Sequence, residues 1–204
     1  MSNSDHWNKI FSNKKDQELG WYENDLSQTL KFLEHIAIDP GSKVFLPGAG
    51  TSDLVEELIK KDSHIVLNDI SDSALKKLQA RLGHGSFEFF HHDMGVAFTQ
   101  KYDIDIWIDR AVLHFLLSEE NILTYFNNVK DSIKVGGYVL LAEFSKSGAS
   151  MCAGLDIHQY TVEEMQARLG SDFALITCED FIFINPFAQE RPYIYALFQR
   201  KQGR

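Results

Sequence analysis

Two cysteines in 204 residues, Cys152 and Cys178, cannot make a disulfide framework and point to a reducing compartment. Long apolar runs are also missing, and none approaches the roughly 20 residues needed to cross a bilayer. The opening residues, MSNSDHWNKIF, have neither a basic n-region nor an apolar h-region. The expectation is a cytoplasmic chain with no membrane partner. Basic charge is scarce: 20 Lys and Arg stand against 29 Asp and Glu, for a net charge of −9. No basic run exceeds two or three residues, so nothing resembles an electrostatic footprint for DNA or RNA, and no nucleic-acid partner is expected. Internal repeats and low-complexity segments are absent. What is present, 44% hydrophobic and 24% charged residues, suits one ordinary globular domain with a sizeable core.

Residues 1 to 24 are polar but punctuated by Trp7, Ile10, Phe11, Leu19, Trp21 and Tyr22. That is too aromatic for a disordered tail and too irregular for a core strand, so residues 1–25 are expected to fold over something, as a lid. Residues 26–204 are expected to form one domain. Leu26, Leu30, Leu33 and Ile36 follow helical spacing, and Asp39-Pro40-Gly41 breaks the chain after them. Strand-like runs then lie at Val44–Leu46, Ile65–Leu67, Phe87–Phe90, Ile104–Ile108 and Tyr138–Phe144. The last of these follows an expected turn, Val135-Gly136-Gly137. Between the strands, Ser71 and Ser118 are placed to cap helices, with acids in the first turn after Ser118. Thr161 and Glu164 form a capping-box pattern that Gly170 would end. Strand and helix alternate through Phe144, which predicts a doubly wound parallel α/β sheet. Phe173–Ile184 and Tyr193–Phe198 have no helix between them, so they should close the sheet as an antiparallel hairpin.

The chemistry centres on KVFLPGAGTS, residues 43 to 52, followed by HIVLNDIS, residues 64 to 71. An apolar strand ends in Gly48-Ala49-Gly50, and about 20 residues on a second strand ends in Asp69. Glycines let backbone approach a ligand where a Cβ would block it. A strand-end carboxylate at that distance is placed to take both hydroxyls of an adenosine ribose. The dinucleotide fingerprint has a third glycine where this chain has Asp53. An acid in the first helical turn would repel a pyrophosphate, which argues for an adenosine ligand whose tail carries a cation.

With LPGAGTS, LNDIS, HHDM, WIDRAVLHFL and KVGGYVLLAEF in order, residues 26 to 200 resemble class I S-adenosylmethionine-dependent methyltransferases. Within that family, the FLPGAG turn and the Trp-containing N-terminal segment look most like the thiopurine-methyltransferase type. The resemblance implies a Rossmann-like seven-stranded sheet of order 3-2-1-4-5-7-6. It implies S-adenosylmethionine as cofactor, with Pro47, Gly48, Ala49 and Gly50 under the methionine moiety and Asp69 on the ribose. Ile70 would lie against the adenine, Asp93 and Met94 at its exocyclic amine and ring edge, and Asp109 with Arg110 near the amino-acid tail. Trp21 and Tyr22 would belong to the lid. The usual acid two residues before the first glycine is Leu46 here, and the usual last glycine is Ser52.

The implied reaction is methyl transfer to a small-molecule acceptor by in-line displacement, in a monomer or weak homodimer. A protein lysine or N-terminus is the alternative acceptor. Asp109, His114, His158 and Tyr160 are the candidate bases, with Asp109, His114 and Tyr160 preferred as catalytic residues, and Tyr22, Phe115 and Phe144 could stack on a flat acceptor. His114 lies on an apolar stretch, which also fits a core histidine. Adjacent residues on a strand point to opposite faces, so His91-His92-Asp93 is expected to hold no metal and its histidines to face solvent. Cys152 is expected to be a loop thiol, because no partnering base is evident. Asn185-Pro186-Phe187 looks like the motif of amino-nitrogen methyltransferases but lies in the wrong part of the chain.

Overall fold

The computed structural model describes residues 4–202. In chain order the elements are α1 (Ser4–Asn13), α2 (Ser27–Leu33), β1 (Lys43–Leu46), α3 (Leu54–Lys60), β2 (His64–Asp69), α4 (Asp72–Arg81), β3 (Phe87–His91) and β4 (Ile104–Arg110). They continue as α5 (Glu119–Ser132), β5 (Ile133–Phe144), β6 (Met151–Cys152), β7 (Leu155–Asp156), α6 (Val162–Leu169), β8 (Phe173–Ile184) and β9 (Glu190–Arg200).

Successive residues of β1, Val44, Phe45 and Leu46, are all buried, and they face opposite sides of the sheet. A strand apolar on both faces needs helices on both, which is the condition for a parallel sheet. One face packs Val44, Leu46, Ile65, Leu67 and Ile106 against α2, α3 and α4. The other packs Phe45, Val66, Trp107, Val139 and Leu141 against α5 and α6. Phe45 and Trp107 stack there, with ring centroids 4.3 Å apart.

β1 to β5 run parallel, β9 pairs antiparallel with β5, and β8 with β9. The sheet order is 3-2-1-4-5-9-8, which differs in detail from the expected 3-2-1-4-5-7-6. A small separate ribbon, β6 with β7, takes the sixth and seventh places in the chain, and the closing hairpin follows it. Two-residue strands carry no readable alternation, so the ribbon was invisible in the sequence. The expected turn at Val135-Gly136-Gly137 is instead an irregularity inside β5, where the register against β4 shifts between Ile104 and Ile106. A Cβ on Gly137 would come 2.9 Å from the Asp105 carbonyl oxygen.

The three expected caps are formed. Ser71, Ser118 and Thr161 accept from the backbone N–H of Ala74, Asn121 and Glu164. No described helix is long and apolar enough to cross a membrane.

Candidate functional site

Strand order reverses between β1 and β4, and the loops after β1 to β4 leave the same edge of the sheet. A crevice at such a switch point is where open α/β sheets bind ligands. Two adjoining pockets occupy it. The first is lined by Trp7, Phe11 and Trp21 from the N-terminal segment, and by Gly48, Asn68, Asp69, Ile70, His92, Asp93, Met94 and residues 110 to 116 in part. The second lies along the glycine turn, from Leu46 to Leu54, facing Tyr22, Glu23 and Arg110. Trp21, Gly48 and Arg110 border both.

The glycine turn is built for close approach. Gly48 and Gly50 both have φ of 52°, a left-handed backbone that strains any residue with a Cβ. A Cβ on Gly48 would fall 2.3 Å from Val112 Cγ2. The Ala49 N–H donates to the Asn68 carbonyl at 2.7 Å, and the Gly50 N–H to Asp69 Oδ2 at 2.9 Å. The other Asp69 oxygen accepts from the Ser71 N–H at 2.8 Å. Asp69 is only 4% exposed, and burial pushes its carboxyl up to about 6 despite these two bonds. Asn68 ties the neighbouring loop, donating from Nδ2 to the carbonyls of Phe90 and His92. Asp93 accepts from the Gly95 N–H at 2.9 Å.

After β4 the chain turns through Ala111, whose φ of 70° is unusual for a residue other than glycine. Arg110 is largely but not wholly buried there. Its Nε donates to the Tyr195 hydroxyl at 3.1 Å, its Nη1 to the Trp21 carbonyl at 2.9 Å, and its Nη2 has no partner. Trp7 packs edge-on against Trp21 and Phe115, at 5.4 and 4.9 Å between centroids. Asn8 Oδ1 accepts from Ser71 Oγ and the Ser73 N–H. The N-terminal segment thus lies across the crevice.

Of the residues singled out in the sequence, Trp21, Gly48, Asp69, Ile70, Asp93, Met94, Arg110 and Phe115 stand on the wall of the first pocket, and Pro47, Ala49, Gly50 and Tyr22 on that of the second. Asp109, His114, Tyr160 and Phe144 are placed otherwise. All four are buried, and neither pocket is lined by them. Asp109 accepts from the N–H groups of Val112 and Leu113 and from the Tyr125 hydroxyl, which seals it beneath the turn. His114 Nδ1 lies 2.6 Å from Glu143 Oε2. His158 bonds Glu164 at 2.7 Å, also off the pocket walls. The two neighbouring histidines are not alike: His91 faces solvent, but His92 stacks on Phe90 and reaches the pocket wall. Asp53 is not left as a free anion, since Tyr22 and Arg81 both donate to it.

Trp7, Phe11, Asn68, Leu116, Asn121 and Glu23 are wall residues that pattern reading did not assign. The aromatic punctuation of the first 24 residues was the signal for Trp7 and Phe11. Nothing in the sequence marks Glu23.

No family model matches the chain, and no curated protein does. Solved structures do. An S-adenosylmethionine-dependent methyltransferase from Anabaena variabilis superposes with a TM-score of 0.76 at 12% identity, covering 98% of this chain and 94% of that one. The N-methyltransferase NodS of Bradyrhizobium japonicum, solved with S-adenosyl-L-homocysteine, gives 0.73 at 11% over 99% and 100%. The 1,6-didemethyltoxoflavin N1-methyltransferase of Burkholderia thailandensis, solved with 1,6-didemethyltoxoflavin and S-adenosylhomocysteine, gives 0.70 at 12% over 98% and 85%. The fold of this chain is the one these methyltransferases share.

Proposed function

We propose that this protein is an S-adenosylmethionine-dependent methyltransferase acting on a small-molecule acceptor. The observation that carries the reading is Asp69: a buried strand-end carboxylate on the wall of a crevice, bonded to a glycine turn in left-handed backbone. An ionised carboxylate can accept about four hydrogen bonds, and Asp69 receives two from the backbone, which leaves capacity for two ribose hydroxyls. Ile70 and Met94 supply apolar contact for the adenine, and Asp93 an acceptor for its amine. Gly48 and Arg110, which border both pockets, lie between the adenosine side and the tail side.

When bound, the cofactor supplies an activated methyl on a sulfonium. The chain's own work is then to position the acceptor and exclude water. Trp7, Trp21 and Phe115 give that space an apolar, aromatic wall. Because Asp109, His114 and Tyr160 are sealed away from both pockets, this reading gives them no proton from the acceptor. Asp109 acts by holding the Val112 and Leu113 amides, and so the turn that meets Gly48. An acceptor with a free lone pair, such as a thiolate, an amine or a ring hetero-atom, suits such a site. The thiopurine type is the finer form of this reading, supported by Pro47 before the glycine turn and by the tryptophans of the N-terminal segment. That segment across the crevice favours an enclosed small molecule over a protein side chain.

The test is calorimetry and thermal melting with S-adenosylhomocysteine. Binding and a raised Tm are expected for the native chain, and loss of both in Asp69→Ala. No binding to the native chain at millimolar ligand ends the proposal.

A further inference from the structure

Leu46, standing where the resembled family carries an acid, is buried and offers the second pocket no charge. A carboxylate reaches that pocket from elsewhere in the chain. Glu23, 9% exposed, lines it together with Leu46, Pro47 and Gly48. Glu23 Oε1 lies 3.3 Å from Arg110 Nε and accepts from Thr29 Oγ1 at 3.2 Å. Arg110 is fixed by Tyr195, by the Trp21 carbonyl and by the Phe183 ring, 4.5 Å from its Cζ, while its Nη2 is buried with no partner. A cation with one unpaired N–H group and an anion with unused acceptor capacity therefore stand side by side at this pocket. Their complement is an ammonium beside a carboxylate, the head group of an α-amino acid.

Asp53 is the competing acid in this pocket. Its side chain is 42% exposed and already paired with Arg81, so water and that guanidinium screen it. Glu23 is neither exposed nor paired with a second cation. Burial pushes its carboxyl up from the ordinary range while Arg110 pulls it down, so a further positive charge there would be well received.

We propose that Glu23 and Arg110 together receive the ammonium and carboxylate of the cofactor's methionine tail, Glu23 supplying from the N-terminal segment the charge that β1 lacks. This rests on the methyltransferase reading above. It has a structural corollary: Glu23 and the Trp21 carbonyl share Arg110, so tail binding and the seating of residues 19–25 are one event.

The experiment is calorimetric titration of the full chain and of Glu23→Gln with three ligands. These are S-adenosylhomocysteine, its deaminated analogue, which keeps the carboxylate, and 5′-methylthioadenosine, which lacks the amino acid. Glu23→Gln should weaken S-adenosylhomocysteine by about tenfold or more, the loss of one charge-assisted pair. It should leave the other two ligands within about twofold, the scale of a bystander substitution. Should Glu23→Gln fail to fold, Glu23→Asp is titrated instead; it keeps the charge and should show the same ligand selectivity with a smaller loss. Equal weakening of all three ligands, or none for S-adenosylhomocysteine, overturns the proposal and leaves the cofactor reading intact. A native chain that binds none of the three overturns the cofactor reading itself.

Discussion

Asp69 faces two opposed demands. In the proposed role it must be ionised to accept from ribose hydroxyls, yet burial pushes its carboxyl up to about 6. The folded value lies above the unfolded value of 3.8, so its contribution to the stability of the ligand-free protein is fully present below pH 3.8. That contribution is lost as pH rises through about 6. On the proposed reading ligand affinity runs the other way, because the ionised form would be the acceptor. Binding of S-adenosylhomocysteine should therefore be about tenfold weaker near pH 5 than near pH 7.5, and Asp69→Asn should bind weakly with no such dependence. Calorimetry across that range decides it; a native affinity flat with pH would count against Asp69 as the acceptor. Gly48 is constrained by backbone instead. Alanine there meets a left-handed penalty of roughly 1–2 kcal/mol and a Val112 methyl group 2.3 Å away. Gly48→Ala should lower Tm and weaken binding together, whereas Gly83→Ala, with nothing within 4 Å, should do neither. Both sites were legible because a strand, a glycine turn and a strand-end acid are local patterns. Asp109 was not, because its partners arrive from a turn that folds back and from Tyr125 on α5.

At the scale of elements, the N-terminal segment is the part whose presence was readable and whose form was not. Trp7, Ile10 and Phe11 have helical spacing, but only Phe11 is fully buried, too short an apolar stripe to identify α1 from pattern alone. What seats the helix is specific: Asn8 accepts from Ser71 and Ser73 at the start of α4, and Phe11 approaches Gly50 so closely that a Cβ there would lie 3.2 Å from its ring. Contact with β6–β7 adds to this, since His6 Nε2 lies 3.1 Å from the Ala153 carbonyl oxygen. That ribbon turns through Ala153 and Gly154, at φ of 52° and 79°, a geometry the alanine gives no warning of. Asn8→Ala removes two side-chain bonds worth about 1 kcal/mol each. Because α1 packs chiefly on α4 rather than on the sheet, the effect should be local. Hydrogen exchange should show amides of residues 5–13 and Ser73 losing protection by about tenfold, while β1, β4 and β5 keep theirs. Uniform loss across the sheet would mean that α1 is part of the cooperative core.

On the scale of the whole molecule, the sheet encloses a polar cluster between β4, β5 and α5 that no hydrophobic pattern announces. Asp109, Glu143, His114, Tyr125 and Tyr160 are all fully buried, and His114 Nε2, Glu143 Oε1 and the Tyr160 hydroxyl have no partner. Alternation of apolar strands and helices was enough to predict the layers and the closing hairpin, because burial on both faces leaves a strand little choice of residue. A polar residue within such a strand, like Glu143, looks in sequence like an edge or a mistake. Here burial pushes Glu143 up to about 8 and His114 down to about 3, so burial favours the uncharged form of both groups at neutral pH. The two groups act on opposite limbs. For Glu143 the folded value exceeds the unfolded 4.5, so its stabilisation is present below pH 4.5 and lost as pH rises through about 8. For His114 the folded value lies below 6.5, so its stabilisation is present above pH 6.5 and lost as pH falls towards 3. Glutamine keeps the acceptor that meets the His114 amide but cannot ionise. Glu143→Gln should therefore match or fall slightly below the native protein near pH 6 and exceed it near pH 9, by an amount on the order of a few kcal/mol at most. Urea unfolding at the two pH values measures the difference. A Glu143→Gln effect of the same sign and size at both would mean that the carboxyl does not titrate within the folded core, and that the alkaline limb belongs instead to the repulsion of a chain carrying nine excess negative charges.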